Sequence, residues 1–164
     1  MPILQADLLR AAARKTYNFS TGYGKSKGFL CHSHQDRALA EGLQQLLAEQ
    51  GLMLYIDWQD SAMPSEPNRQ TAERIQTAIR ESSIFIFLAT ENSTKSRWCP
   101  WEIGYADGCN KGDRIAVMQT KDSHGHFYGN EYLNLYRRID HSPNSNSVRW
   151  FSAGGMVPRE FYSF

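Results

Sequence analysis

From Gly28 onward the apolar positions follow two alternating rhythms: short continuous runs of strand length, and longer stretches in which Leu, Ile and Ala recur every three or four residues. That alternation is the pattern of βαβ units wound around a parallel sheet. Gly28 to Cys31 reads as the first strand. Asp36 to Gln50 places Leu39, Leu43, Leu46 and Leu47 on one helical face, with Asp36 available as N-cap and Gly51 as the C-terminal stop. Leu52 to Asp57 is the second strand. Pro64 and Pro67 then exclude a central strand or helix interior, so Trp58 to Pro67 is a long loop. Arg69 to Arg80 aligns Ala72, Ile75 and Ile79 on one face. Ser83 to Ala89 is the third strand and Arg114 to Gln119 the fourth.

The ends are less regular. Asp122 to Gly129 is polar and rich in His and Gly, Tyr132 to Ile139 fits a short helix or turn, and Ser147 to Phe151 fits a fifth strand. Before Gly28, residues Ile3, Leu4, Leu8, Leu9 and Ala12 recur at helical spacing, followed by a loop through Gly22, Gly24 and Ser26. The expected organisation is a basic helix and loop extension over residues 1–27 and one α/β domain over residues 28–164. The extension reads as a packing or assembly helix rather than a membrane-targeting one.

Composition narrows the class. A chain of 164 residues with 41% apolar and 21% charged residues has the make-up of one globular domain. Its formal net charge is only +1, so no global field draws it to nucleic acid or to an anionic membrane. The charge is uneven: Arg10, Arg14, Lys15, Lys25 and Lys27 against Asp7 give the first 27 residues +4, leaving −3 on the rest. Cys31, Cys99 and Cys109 are odd in number and show no CxxC spacing, which fits a reducing, cytoplasmic location. The longest apolar run, Ile84 to Ala89, is far too short to span a bilayer, and the first residues lack the form of a secretory signal.

Candidate chemistry concentrates between the third and fourth strands. In Ser96-Arg-Trp98-Cys-Pro100-Trp101-Glu102, continuing to Cys109, Pro100 suits a first helical turn. Counting from Trp98, residues Trp101, Glu102, Tyr105, Ala106 and Cys109 share one stripe, so one carboxylate stands among aromatic and small residues. A carboxylate there is costly unless it is paired or used on a ligand. Both a structural role, as salt bridge or cap, and a functional one are open for Glu102. The indoles suit a planar or cationic substrate, while core packing is their ordinary explanation.

These residues lead to a family. Gly28-Phe-Leu-Cys-His-Ser-His-Gln-Asp36 resembles the first strand and loop of Toll/interleukin-1 receptor (TIR) domains, and Leu54-Tyr-Ile-Asp57 resembles their second strand. Ser93-x-x-Ser96-x-Trp98-Cys99-x-x-Glu102 resembles the segment that carries the glutamate in TIR domains that cleave NAD. The resemblance implies a flavodoxin-like open parallel sheet of about five strands with helices on both faces. It also implies NAD glycohydrolase, ADP-ribosyl cyclase or transferase chemistry, with Glu102 at the catalytic position and NAD as substrate rather than bound cofactor. The loop Trp58 to Pro67 matches the one through which TIR domains assemble, although Ser65 follows Pro64 where the family often has glycine. Self-association, a bacterial antiphage role of the Thoeris type, and an effector that senses the nucleotide product are further implications. A non-catalytic assembly module is the alternative.

In an open parallel sheet ligands sit beyond the carboxyl ends of the strands at the switch in strand order. His32, Ser33 and His34 after strand one, Asp57 and Trp58 after strand two, and Trp98 are therefore the binding candidates. Three other signals are set aside. Gly24-Lys25-Ser26 lacks the first glycine of a P-loop, since Phe19 stands there. His32-x-His34 and His124-x-His126, even with Cys31, match no closed metal-site pattern, so no metal is expected. Asp57 resembles a receiver-domain phosphoacceptor, but Cys31-His32-Ser33 replaces the acidic pair that would hold magnesium.

Overall fold

The structure is a computed structural model describing residues 2–14, 27–109, 111–141, 147–153, 155 and 158–159. Its strands are β1 (Ile3–Leu4), β2 (Lys27–Cys31), β3 (Met53–Tyr55), β4 (Ile84–Ala89), β5 (Ile115–Lys121), β6 (Arg137–His141), β7 (Val148–Phe151) and β8 (Pro158–Arg159). Its helices are α1 (Gln5–Arg14), α2 (Arg37–Ala48), α3 (Arg69–Glu81), α4 (Glu91–Lys95) and α5 (Trp98–Gly108).

The sheet runs β3-β2-β4-β5-β6-β7-β8. Its first five strands are parallel, and β7 and β8 add on antiparallel. The chain leaves β2 toward β3 on one side and later returns to place β4 on the other. The switch in strand order therefore falls at β2, where α/β sheets open a ligand crevice.

Period-two alternation along β4 divides the core. Ile84, Ile86 and Leu88 face a layer built by α1 and α2, with Leu8, Ala11, Leu39, Leu43 and Leu47. Phe85, Phe87 and Ala89 face the opposite layer built by α3 and α5, with Ile75, Ile79, Cys99, Ile103 and Ala106. All six β4 residues are buried, as expected of a central strand covered on both faces.

Several boundaries differ from the sequence reading for identifiable reasons. Ile3 and Leu4, taken as helical, instead pair in parallel with Thr120 and Lys121 at the end of β5. Of the N-terminal extension, the described part is thus stitched into the sheet and covered by α2. The loop through Gly22, Gly24 and Ser26 lies outside the described residues. The Tyr132 to Ile139 segment splits into a 3-10 turn over Glu131–Leu135 and the strand β6. Strand β6 escaped notice because only Ile139 of its five residues is buried. The anticipated fifth strand forms as β7, but antiparallel to β6.

Asp36 does not cap α2 with its side chain. Its carboxylate instead accepts from Thr90 Oγ1 and from Asn92 Nδ2, the latter at 2.6 Å, tying the start of α2 to the start of α4. Gly51 does stop the helix region, at φ 86°.

Gly42 sits mid-helix in α2, where propensity disfavours it. A Cβ there would lie 1.9 Å from the backbone oxygen of Leu8, so the glycine is what lets α1 lie directly on α2. Propensity alone gives Gly42→Ala about 1 kcal/mol of stabilisation. The packing reverses that sign, and Gly42→Ala is expected to lose roughly 2 kcal/mol or more in urea unfolding. An increase in stability would show that α1 does not hold this position.

Candidate functional site

A cleft of about 210 Å³ opens beyond the carboxyl end of β2. One wall is the segment His32 to Gln35, which leaves β2. Asp57, in the 3-10 turn after β3, forms the second, and Ser96, Trp98 and Glu102 of the α5 region the third. Pro67, Thr71 and Ile75 close the remaining side from the start of α3.

Local structure fixes each wall. Ser96 Oγ accepts from the backbone N–H groups of Trp98 and Cys99 at 3.2 and 3.3 Å, capping α5 so that its first turn meets the cleft. Pro100 falls in that first turn, as its missing donor allows. Asn68 and Thr71 form a reciprocal capping box at 3.1 Å each way, which sets the start of α3. Thr90 and Ser93 do the same for α4.

The α5 stripe is rotated relative to the sequence reading. Cys99, Glu102, Ile103 and Ala106 form the buried face, whereas Trp98 and Tyr105 are half-buried and Trp101 is exposed. The aromatics make their own strip, Trp98 meeting Trp101 edge-on at 5.4 Å and Trp101 stacking on Tyr105 at 6.1 Å. Glu102 therefore belongs with the core-facing residues of α5, not on the aromatic strip. Only Trp98 of the strip reaches the cleft.

Burial dominates the chemistry of Glu102. Loss of water pushes its carboxyl up to about 8, with Cys99 and the Asp57 charge adding to the effect, while the Cys31 thiol and His34 pull the other way. At pH 7 Glu102 is therefore mostly a neutral acid. Cys31 is itself fully buried, its thiol directed to the Cys99 carbonyl at 3.8 Å, and burial pushes that thiol up.

The four residues after β2 and β3 form one polar network. His32 Nδ1 lies 3.1 Å from Leu30 O, and His32 Nε2 accepts from Trp58 Nε1–H at 3.0 Å. These contacts require the neutral Nδ1–H tautomer, and burial lowers the ring's affinity for a second proton. His32 is thus a fixed wall with both nitrogens used.

His34 is exposed, and its Nε2 reaches Asp57 Oδ2 at 2.8 Å, an interaction that raises the histidine. Burial pushes Asp57 up, but the His34 bond and the nearby imidazoles outweigh it and hold the carboxylate below its usual range. Trp58 is not among the cleft-lining residues. Its indole stands behind His32, packs against the α1/α2-side core and carries the Arg37 guanidinium 5.1 Å above its ring.

Of the sequence candidates, then, Glu102, His32, Ser33, His34, Asp57 and Trp98 share the cleft, and Trp58 supports it from outside. Pro67, Thr71 and Ile75 were missed, because helix periodicity shows which face is apolar but not which turn meets a cleft. Ser96 had a visible signal, a serine two residues before the helix start.

The raised Glu102 acid has a consequence for stability. The folded state keeps a proton that the unfolded state, with an ordinary glutamate near 4.3, releases. Stability contributed by this group is therefore complete below about pH 4.3 and is lost as pH rises toward 8, on the order of 1 kcal/mol per pH unit. Glu102→Gln should remove that slope and melt ~5 °C or more above wild type at pH 7.5, with the gap closing near pH 4.5. Parallel melting curves for the two proteins across this range would show that Glu102 is not held neutral.

Comparison with known proteins agrees with this fold. The sequence model of the TIR domain matches residues 29–145, from Phe29, the third residue of β2, past the end of β6. A protein of Bacillus cereus (strain MSX-D12), named probable 3′ cyclic ADP-D-ribose synthase ThsB′, is 32% identical over 125 residues. The match covers 74% of this chain and 64% of that protein, so the chain spans less than two thirds of the relative's length. With the family match running through most of the chain and the sheet order and helical layers in place, this chain belongs to the TIR domain family.

Proposed function

We propose that this protein cleaves the nicotinamide–ribose bond of NAD and closes the ADP-ribose on itself to give a cyclic product, as the name of its Bacillus cereus relative states for that protein. The observation that carries the reading is Glu102, a buried carboxyl at the wall of an open cleft whose acidity is shifted to about 8.

Nicotinamide in NAD is already a cationic leaving group, so breaking its bond to ribose needs no general acid. A cleft of about 210 Å³ suits the nicotinamide riboside half better than a whole dinucleotide. Entry of the cationic ring beside Glu102 favours the ionised carboxylate and releases its proton. That carboxylate then faces positive charge developing at the ribosyl carbon, in a site where little water competes. The glycosidic electron pair leaves with nicotinamide, which departs neutral. A hydroxyl of the same ADP-ribose forms the new bond to the ribosyl carbon, and its proton returns Glu102 to the neutral acid, so the proton released on entry is the one the reaction yields. The atoms balance as NAD giving cyclic ADP-ribose, nicotinamide and one proton. Water in place of the internal hydroxyl gives linear ADP-ribose.

The surrounding residues divide the remaining work. His32 cannot serve as a base while both its nitrogens are bonded, and so shapes the wall. His34 and Asp57 offer a hydrogen-bonded pair at the mouth for ribose hydroxyls or phosphate oxygens. The half-buried face of Trp98 offers a stacking surface. The free thiols Cys31 and Cys99 fit action in the reducing cytoplasm, and no helix among the described residues is long and apolar enough to cross a membrane. Self-association through the Trp58 to Pro67 loop, and an antiphage role in which an effector reads the cyclic product, complete the proposal.

Incubating purified protein with NAD at low and high protein concentration, and following nicotinamide and product masses, tests the reading. Release by wild type that falls at least ~100-fold in Glu102→Gln is expected. No release from folded wild type at any concentration, with infected-cell extract added, would favour a non-catalytic assembly module.

The acidity of Glu102 also fixes a pH profile. Because kcat/KM follows the free protein, it should rise about tenfold per pH unit below the Glu102 value and level off near pH 8. A flat profile from pH 5.5 to 8.5 would remove Glu102 ionisation from the mechanism.

A further inference from the structure

The loop after β5 carries a cluster that the NAD cleft does not use. We propose that Asp122, His124 and His126 bind a divalent transition-metal ion such as zinc, with Asp122 Oδ2 and the two Nδ1 atoms as ligands. The sequence gives only His124-x-His126, which by itself matches no metal pattern. Folding adds the third donor: one ligand atom from each of Asp122, His124 and His126 lies within 4.8 Å of the others.

The two histidines approach the same carboxylate oxygen. His126 Nδ1 is 3.2 Å from Asp122 Oδ2 and His124 Nδ1 is 3.9 Å from it. The rings stack within 25° of parallel, with centroids 6.0 Å apart, so the two imidazoles lie side by side next to Asp122. Ligand atoms around a zinc ion with bonds of roughly 2.1 Å stand about 3 to 3.5 Å apart, so small ring rotations bring all three into range. Both rings are largely exposed, and the adjustment gives up only the 3.4 Å contact of His124 Nδ1 with Ser123 Oγ.

The carboxylate, by contrast, is held. Asp122 Oδ1 accepts from the backbone N–H groups of His124 and His126 at 2.8 and 2.9 Å, and Tyr128 OH donates to Oδ2 at 2.6 Å. A ligand oriented by surrounding hydrogen bonds is the usual support of a metal site. Gly125 between the histidines has φ +88°, the left-handed conformation that turns the chain so that both rings return to Asp122. Two imidazoles and one carboxylate favour zinc, nickel or copper over calcium or magnesium, and three protein ligands leave at least one position for water or a further donor.

The loop follows the carboxyl end of β5, on the same edge of the parallel sheet as the cleft beyond β2. No catalytic step is assigned to the ion, and the proposal stands whether or not the protein cleaves NAD.

The test is a titration of tag-free, chelator-treated protein with cobalt(II) at pH 7.5, followed by its visible absorption and by displacement with zinc. One equivalent is expected to bind wild type. Binding should weaken at least tenfold in the His124→Ala/His126→Ala double variant and in Asp122→Asn, and measurably in Tyr128→Phe. Both rings of the double variant are exposed, so its circular dichroism should match wild type. Failure of wild type to bind cobalt or zinc at up to millimolar concentration would overturn the proposal. So would one equivalent bound unchanged in the double variant, which would place the ion elsewhere, for instance at Cys109.

Discussion

Everything at the candidate site follows from the decision to bury a carboxyl where α5 meets the sheet. Glu102 shares its helix face with Cys99, Ile103 and Ala106, all of which pack into the layer built on Phe29, Phe85 and Phe87. That packing cannot be relaxed without giving up apolar burial along a whole helix, so the carboxyl is carried out of water with its neighbours. The result is an acid held neutral until something in the cleft favours its charge. In the proposed function a cationic ligand does so, and recognition of that ligand is thereby coupled to formation of the anion.

Sheet topology explains why this acid meets a cleft at all. Because β2 lies between β3 and β4, the segments leaving its end and that of β3 diverge, and the space between them is lined by the α3 and α5 regions. Two capping devices, Ser96 on α5 and the Asn68/Thr71 box on α3, hold these helix starts in place. The polar network behind them is equally fixed. Trp58 donates to His32, His32 faces the Leu30 carbonyl, and Asp57 is divided between His34 and its neighbour's backbone N–H. Such a site resembles a preorganised cradle more than a flexible surface.

Much of this was legible in the sequence because the signals were periodic. The Leu39-to-Leu47 face, the Ile84-to-Ala89 run and the Trp98-to-Glu102 segment each repeat at a fixed spacing that local geometry converts directly into structure. The failures are equally physical. Strand β6 buries one residue of five and shows no period, and β1 is too short to have one. Asp36 has the right chemistry and place for an N-cap, yet Thr90 and Asn92, more than fifty residues away in sequence, take its carboxylate. The helical wheel put Glu102 on the side of Trp101, but packing rotated the buried face toward Cys99 and Ile103, leaving Trp101 exposed. Long-range partners decided these cases, and a local pattern carries no record of them.

The central claim is that Glu102 is a neutral acid in the free protein. Its most direct test is a carbon-13 NMR titration of glutamate side-chain carboxyls in labelled wild type beside Glu102→Gln. The account requires one carboxyl that titrates near 8, is absent from the variant, and shifts to lower pH when a nicotinamide riboside-type cation is added. A spectrum in which every glutamate titrates below about pH 6 would contradict it, since the carboxyl would then be solvated or paired and the cleft would lack its stored proton.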